Sequence, residues 1–118
     1  SLQPTIIQAN MNLIYIVINN LLSNAVKYSN EGAKIYVSCG EKDGKSYIRI
    51  QDEGCGIEKE NISKIFESFY REKKDRNAEG FGLGLSQAMK IAELYGGGIY
   101  VESTKNKGSI FTFFIPKP

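Results

Sequence analysis

The hexapeptide DEGCGI, residues 52–57, places a carboxylate at the end of a β-rich run and follows it with two glycines one residue apart. In the run SYIRIQD the side chains alternate, so Asp52 shares a face with Ile48 and Ile50, the apolar face that helices would cover. An ionised carboxylate there is costly unless it accepts hydrogen bonds, and an exocyclic amine such as that of adenine is one donor that would satisfy it. Gly54 and Gly56 would let backbone pass close to a flat ring where a Cβ would collide. The same residues also fit a simpler role, in which Asp52 caps a turn and the glycines supply its dihedral angles.

Two further stretches carry chemistry. In GFGLGLSQAM, residues 80–89, Gly80, Gly82 and Gly84 lead into a helical pattern, and the free amides of a helix start, reinforced by its dipole, suit phosphates. A flexible hinge fits the same glycines. A dinucleotide fingerprint, with Glu102 as its acid 20 residues beyond Gly82, fails because KKDRNAE is no strand and Leu85 stands where the third glycine belongs. In NNLLSNAVKYS, residues 19–29, Asn20, Asn24, Lys27 and Tyr28 fall at i, i+4, i+7 and i+8, on one side of a helix. The amide oxygen of Asn24 can ligate a hard cation such as magnesium, which shares its shell with phosphates, and Lys27 can neutralise phosphate charge. A solvated helix face is the alternative.

These groups need a scaffold, and the rest of the chain reads as one. Ile14, Val17, Ile18, Leu21, Leu22 and Ala25 recur at helical spacing and predict a helix from Asn12 to Tyr28, stopped by Asn30-Glu31-Gly32. AKIYVSCG and SYIRIQD are β-rich and joined by EKDGK, in which Asp43-Gly44 signals a hairpin. KENISKIFESFYR predicts a short helix with an aromatic end. REKKDRNAEGFG is polar, charged and aperiodic, which predicts a mobile loop. SQAMKIAELYG is a second helix stopped at Gly96, and GIYVEST and GSIFTFFIP make a strand pair around KNKG. The mixture predicts an α+β two-layer sandwich, a mixed, mostly antiparallel sheet covered on one face by about three helices.

Composition sets outer bounds. With 118 residues, 42% of them hydrophobic and 24% charged, the chain suits one compact domain spanning residues 1–118. A net charge of +2 without an aromatic-and-basic stripe argues against nucleic acid as a partner. No apolar run reaches the roughly 20 residues that span a bilayer, and the first residues lack a signal-peptide pattern, so a soluble piece is expected. Cys39 and Cys55 have no metal-ligand spacing and read as reduced thiols of a cytosol. Histidine is absent altogether.

Together the stretches resemble the ATP-binding domain of sensor histidine kinases, within the group that includes DNA gyrase, heat-shock chaperones and mismatch-repair ATPases. NLLSNAVKY looks like that family's N box, DEGCGI its first glycine box, FESFYR (66–71) its F box and GFGLGL its second glycine box, in the same order and spacing. The resemblance runs from about Asn10 to Pro116. It implies that Asp52 receives the adenine amine while Gly54, Gly56 and Ile57 shape the base pocket. Asn24 would hold Mg2+, with Asn20, Lys27 and Tyr28 beside the phosphates and sugar. Phe66 and Phe69 would anchor a lid from Arg71 to Gly80. Arg71 would lie near the phosphates, where Lys73, Lys74 and Arg76 either assist or are solvated. Gly82, Leu83, Gly84 and Leu85 would present helix-start amides. Many family members carry an acid and a glutamine where this chain has Asn10 and Ile16, a departure that bears on helix capping.

One position divides the family. Where the gyrase-like ATPases carry a glutamate that activates water, this chain has Asn20, and an amide cannot take a proton from water at neutral pH. The resemblance therefore implies transfer of the γ-phosphate of ATP to a histidine on a separate helical dimerisation and phosphoacceptor domain, with Asn20, Asn24 and Lys27 as the catalytic set. A response-regulator receiver domain would be an indirect partner, the isolated fragment a monomer, and the parent a homodimer with this domain in the cytoplasm. A gyrase-like ATPase module and a degenerate nucleotide-binding signalling module are the alternatives.

Overall fold

The computed structural model describes residues 10–29, 32–67 and 84–117. Helix α1, Met11–Tyr28, is opened by Asn10, whose side chain accepts hydrogen bonds from the Asn12 and Leu13 amides at 2.8 and 3.4 Å. The departure at Asn10 from the pattern the resemblance implies thus leaves the helix capped, through an amide oxygen that ranks with a carboxylate at this task. The Asn10 amide in turn donates to the Tyr95 hydroxyl at 2.9 Å, tying the start of α1 to the end of the second helix.

Strands β1, Ile35–Lys42, and β2, Lys45–Asp52, pair antiparallel through a tight turn at Asp43-Gly44. Both turn residues have positive φ, 52° and 76°, the pattern of a two-residue hairpin turn whose twist matches that of the strands. Helix α2 runs Gly84–Leu94, and strands β3, Gly98–Thr104, and β4, Gly108–Pro116, close the described chain. The sheet order is β1-β2-β4-β3, and every pairing among the described strands is antiparallel. The segment expected to be a short helix with an aromatic end is a 3-10 helix, Lys59–Lys64. Three residues per turn line up Ile62 with Ile65, the buried residue just past the end of this two-turn helix. The aromatic end from Ser68 onward lies outside the described residues.

Helices and sheet share one core. Ile14, Val17, Leu21 and Ala25 of α1 and Ala88, Ile91 and Ala92 of α2 pack on Ile48, Ile50, Ile99, Phe111, Phe113 and Ile115. The alternation read in β2 holds, for Ser46, Ile48, Ile50 and Asp52 are all buried. The opposite sheet face carries Tyr100 stacked on Phe114, with ring centroids 4.7 Å apart, and has no helix on it among the described residues. No helix among those residues is long and apolar enough to cross a membrane.

Candidate functional site

Asp52 ends the buried row of β2 and is 4% exposed. Its Oδ1 accepts a hydrogen bond from the Gly54 amide at 2.8 Å, and the Ser109 amide, opposite it in the β2–β4 register, donates to the same carboxyl. Burial pushes the carboxyl above its ordinary value, and the two amides pull the other way without cancelling the shift. The result is a buried acceptor satisfied by backbone on one side, at the mouth of a loop.

That loop, residues 53–57, threads between the end of α1 and the β3–β4 turn. The Cys55 amide donates to the Tyr28 carbonyl at 3.2 Å, and the Asn106 amide donates to the Cys55 carbonyl at 2.6 Å. A Cβ on Gly54 would collide with the Tyr28 carbonyl and crowd Asp52 Oδ1, and one on Gly56 would collide with the Thr104 carbonyl. Gly56 also has φ +70°. The close approach that these glycines allow is therefore first of all to the protein's own carbonyls. Ile57 is half-buried against the core and donates its amide to Ser103 Oγ at 2.7 Å.

On α1, the polar row lies along the flank that meets α2. Asn20 Nδ2 donates to the Gly84 carbonyl at 3.1 Å and to Gln87 Oε1 at 3.4 Å, so its two amide protons brace the start of α2. Asn24, one turn on, is half-buried and its side chain has no hydrogen-bond partner among the described residues. Lys27 is exposed, its Nζ 5.3 Å from the Tyr28 ring centroid, and Tyr28 is half-buried. Gly84 begins α2 with its Cβ position merely touching the Asn20 amide, at 3.7 Å, and Leu85 packs on the core. The structure thus joins Tyr28 to the Asp52 loop and Asn20 to the start of α2. Phe69, Arg71, Lys73, Lys74, Arg76, Gly80, Gly82 and Leu83, with the expected lid, lie outside the described residues.

The glycine loop after Asp52 is thus tied to the end of α1 at Tyr28, and the flank of α1 to the start of α2 at Asn20; comparison with known proteins says which family shares this arrangement. Residues 9–118 match the family described as histidine kinase-, DNA gyrase B-, and HSP90-like ATPase. The chain belongs to this family. Among curated members it is similar to the sensor histidine kinase WalK of Bacillus subtilis (strain 168), 40% identical over an alignment of 104 residues that covers 85% of this chain and 17% of WalK. It is also similar to the adaptive-response sensory kinase SasA of Rippkaea orientalis (strain PCC 8801 / RF-1), 43% identical over 96% of this chain and 29% of SasA. The chain spans less than a third of the length of either relative. Among solved structures, a mycobacterial sensor histidine kinase, MprB, shares the fold with a TM-score of 0.90 over 99% of this chain and 80% of the other, at 24% identity.

Two residues that a reading by boxes passes over are Ser109, opposite Asp52 in the β2–β4 register, and Ser103, opposite Ser109 in the β3–β4 register. Ser103 Oγ lies 2.8 Å from Ser109 Oγ and 3.1 Å from the Gly108 carbonyl, which it can reach as donor. Both serines end inward-facing rows, Ile99-Val101-Ser103 on β3 and Ser109-Phe111-Phe113-Ile115 on β4. A hydroxyl closing an otherwise apolar row is the signal that would have found them. Groups of three or more histidine, cysteine, aspartate or glutamate side chains able to hold a metal are absent among the described residues.

Proposed function

We propose that residues 1–118 form a single ATP-binding domain that holds Mg-ATP and presents its γ-phosphate to a histidine of a separate helical domain. The observation that supports the reading is Asp52, a carboxyl buried at the end of β2 with two backbone amides donating to it beside the glycine loop; in this reading its remaining acceptor capacity receives a ligand's amine. Adenine is the purine base whose exocyclic amine fits such an acceptor, and the loop of Gly54, Gly56 and Ile57 would wall the base.

Phosphoryl transfer asks a protein mainly for positioning and charge stabilisation. The half-buried Asn24 fits the hard-cation role, since it has a neutral amide oxygen and no partner among the described residues. It would hold magnesium, which supplies charge neutralisation on the triphosphate. Lys27 would add a second positive charge, Tyr28 would border the sugar, and the start of α2 at Gly84 and Leu85 would offer amides to phosphate oxygens. Asn20 would not act as a base; with its amide protons on Gly84 and Gln87 it keeps the two helices in register beside the phosphates. A triphosphate held without a base for water is suited to another nucleophile. The chain has no histidine, so the acceptor in this reading lies on another domain. Phe69, Arg71, Gly80, Gly82 and Leu83 remain proposals from the family pattern. Titration of ATP and GTP with magnesium, followed by phosphate transfer to an added helical domain, tests the reading; equal affinity for ATP and GTP would overturn it.

A further inference from the structure

The hydroxyls of Ser103 and Ser109 form a chain with one consistent direction of donation. Ser103 Oγ lies 2.7 Å from the Ile57 amide nitrogen, 3.1 Å from the Gly108 carbonyl oxygen and 2.8 Å from Ser109 Oγ. A serine hydroxyl has one proton to give and two lone pairs to receive. The Ile57 N–H can only donate and the Gly108 carbonyl can only accept. All three contacts are therefore hydrogen bonds only when Ser103 gives its proton to Gly108 and takes one from Ser109. Were Ser103 to donate to Ser109 instead, two oxygens would face each other at the Gly108 contact with no proton between them. The proton of buried Ser109 is thus committed inward. Its lone pairs stay available as acceptors, on the residue directly opposite Asp52 in the β2–β4 register.

We propose that Ser103 is a specificity-determining positioning residue, which fixes Ser109 as an acceptor so that the base-binding end of the site presents acceptors only, the Asp52 carboxylate and Ser109 Oγ. The inference rests on the adenine-nucleotide reading above. A base with an exocyclic amine has protons for such a floor. A base with a keto oxygen at that position brings lone pairs against lone pairs, and a buried polar contact without its proton is penalised. Released from Ser103, Ser109 could turn its proton outward and donate to the keto oxygen, so discrimination would weaken while the carboxylate stayed in place. Ser103 itself touches no base. It acts through Ser109 and, at the same atom, holds the Ile57 amide of the glycine loop.

The test compares ATP with inosine triphosphate, which replaces the exocyclic amine by a keto oxygen, using calorimetric titration with magnesium. The 118-residue protein is expected to prefer ATP. Ser103→Ala should lower the ATP-to-inosine-triphosphate affinity ratio by about three- to tenfold, the equivalent of one neutral hydrogen bond. Ser103→Thr, which keeps a hydroxyl, should restore the ratio. In a Ser109→Ala background the Ser103→Ala change should have no further effect on the ratio, a coupling that a merely structural serine would not show. A ratio unchanged by Ser103→Ala, or lowered equally with and without Ser109, overturns the inference while leaving the adenine reading intact. Failure of the unmodified protein to bind ATP overturns the adenine reading and this inference with it. Should Ser103→Ala fail to fold in a thermal melt, Ser109→Ala alone decides, and an unchanged ratio there overturns the proposal.

Discussion

Burial at the end of β2 favours the protonated form of Asp52, so the folded protein holds that proton more tightly than the unfolded chain does. A carboxyl raised in the folded state contributes stability that is fully present below its ordinary value of 3.8 and is lost as pH rises through the raised value. An asparagine there does not titrate. Without nucleotide, the melting temperature of Asp52→Asn relative to the unmodified protein should therefore rise as pH is taken from about 4 to 8, whichever is higher at the start. A parallel pair of melting curves across that range would show that the carboxyl is not buried in solution. With nucleotide the same substitution should weaken ATP by about 1.5–3 kcal/mol, the size of a charged hydrogen bond, while binding through the phosphates persists. Asn24 presents the opposite case. It is half-buried and unpartnered among the described residues, so Asn24→Ala should leave the nucleotide-free melting temperature within the equivalent of about 0.5 kcal/mol and remove the magnesium dependence of triphosphate binding. A large fall in stability without nucleotide would make Asn24 a packing residue instead.

At the scale of elements, the loop of residues 53–57 and the start of α2 use glycine for different reasons. Gly56 needs its left-handed backbone, which costs an alanine about 1–2 kcal/mol, and a Cβ there would also meet the Thr104 carbonyl. Gly56→Ala should thus lower the melting temperature by several degrees even before nucleotide is added. At Gly84 a Cβ would make ordinary contact with Asn20, and alanine is better in a helix by up to about 1 kcal/mol. Gly84→Ala should therefore keep or raise stability and yet reduce ATP affinity, because the added methyl stands where phosphate would approach the amides. Unchanged affinity in that variant would remove Gly84 from the phosphate site. Why sequence alone could not separate the two glycines is a matter of range. Periodicity is local, and it placed α1, both hairpins, α2 and the inward turn of Asp52 within a residue or two. The neighbours that exclude a Cβ at Gly54 and Gly56 are Tyr28 and Thr104, which only the folded arrangement brings to the loop. The position of β4 between β2 and β3, and hence the meeting of Ser109 with Asp52, depends on the same long-range pairing. Around Lys59–Lys64 the spacing of Ile57, Ile62 and Ile65 suits either kind of helix, and the chain takes the tighter one.

At the scale of the molecule, the proposed activity is divided between this chain and a partner, and that division can be measured. Histidine is absent from the sequence, and Asn20, where a hydrolytic member of the family carries its base, has its amide protons on the backbone and side chain of α2. The protein alone should neither label itself from γ-labelled ATP nor release phosphate above the uncatalysed background. Adding a cognate helical domain should yield label on that domain's histidine, slowly, because two untethered pieces lack the effective concentration of about a millimolar that a short linker supplies. Joining them through such a linker should raise the rate without changing the chemistry. Asn24→Ala should abolish labelling in both arrangements while the protein remains folded, which ties the signal to the metal-bound triphosphate and not to a contaminant. Mass-detected phosphate on each chain, with phosphate release followed in parallel, distinguishes the outcomes. Steady-state release by the protein alone, lost in Asn24→Ala, would mean that water reaches the γ-phosphate with another group as base, and the chain would then be an ATPase module of the gyrase type.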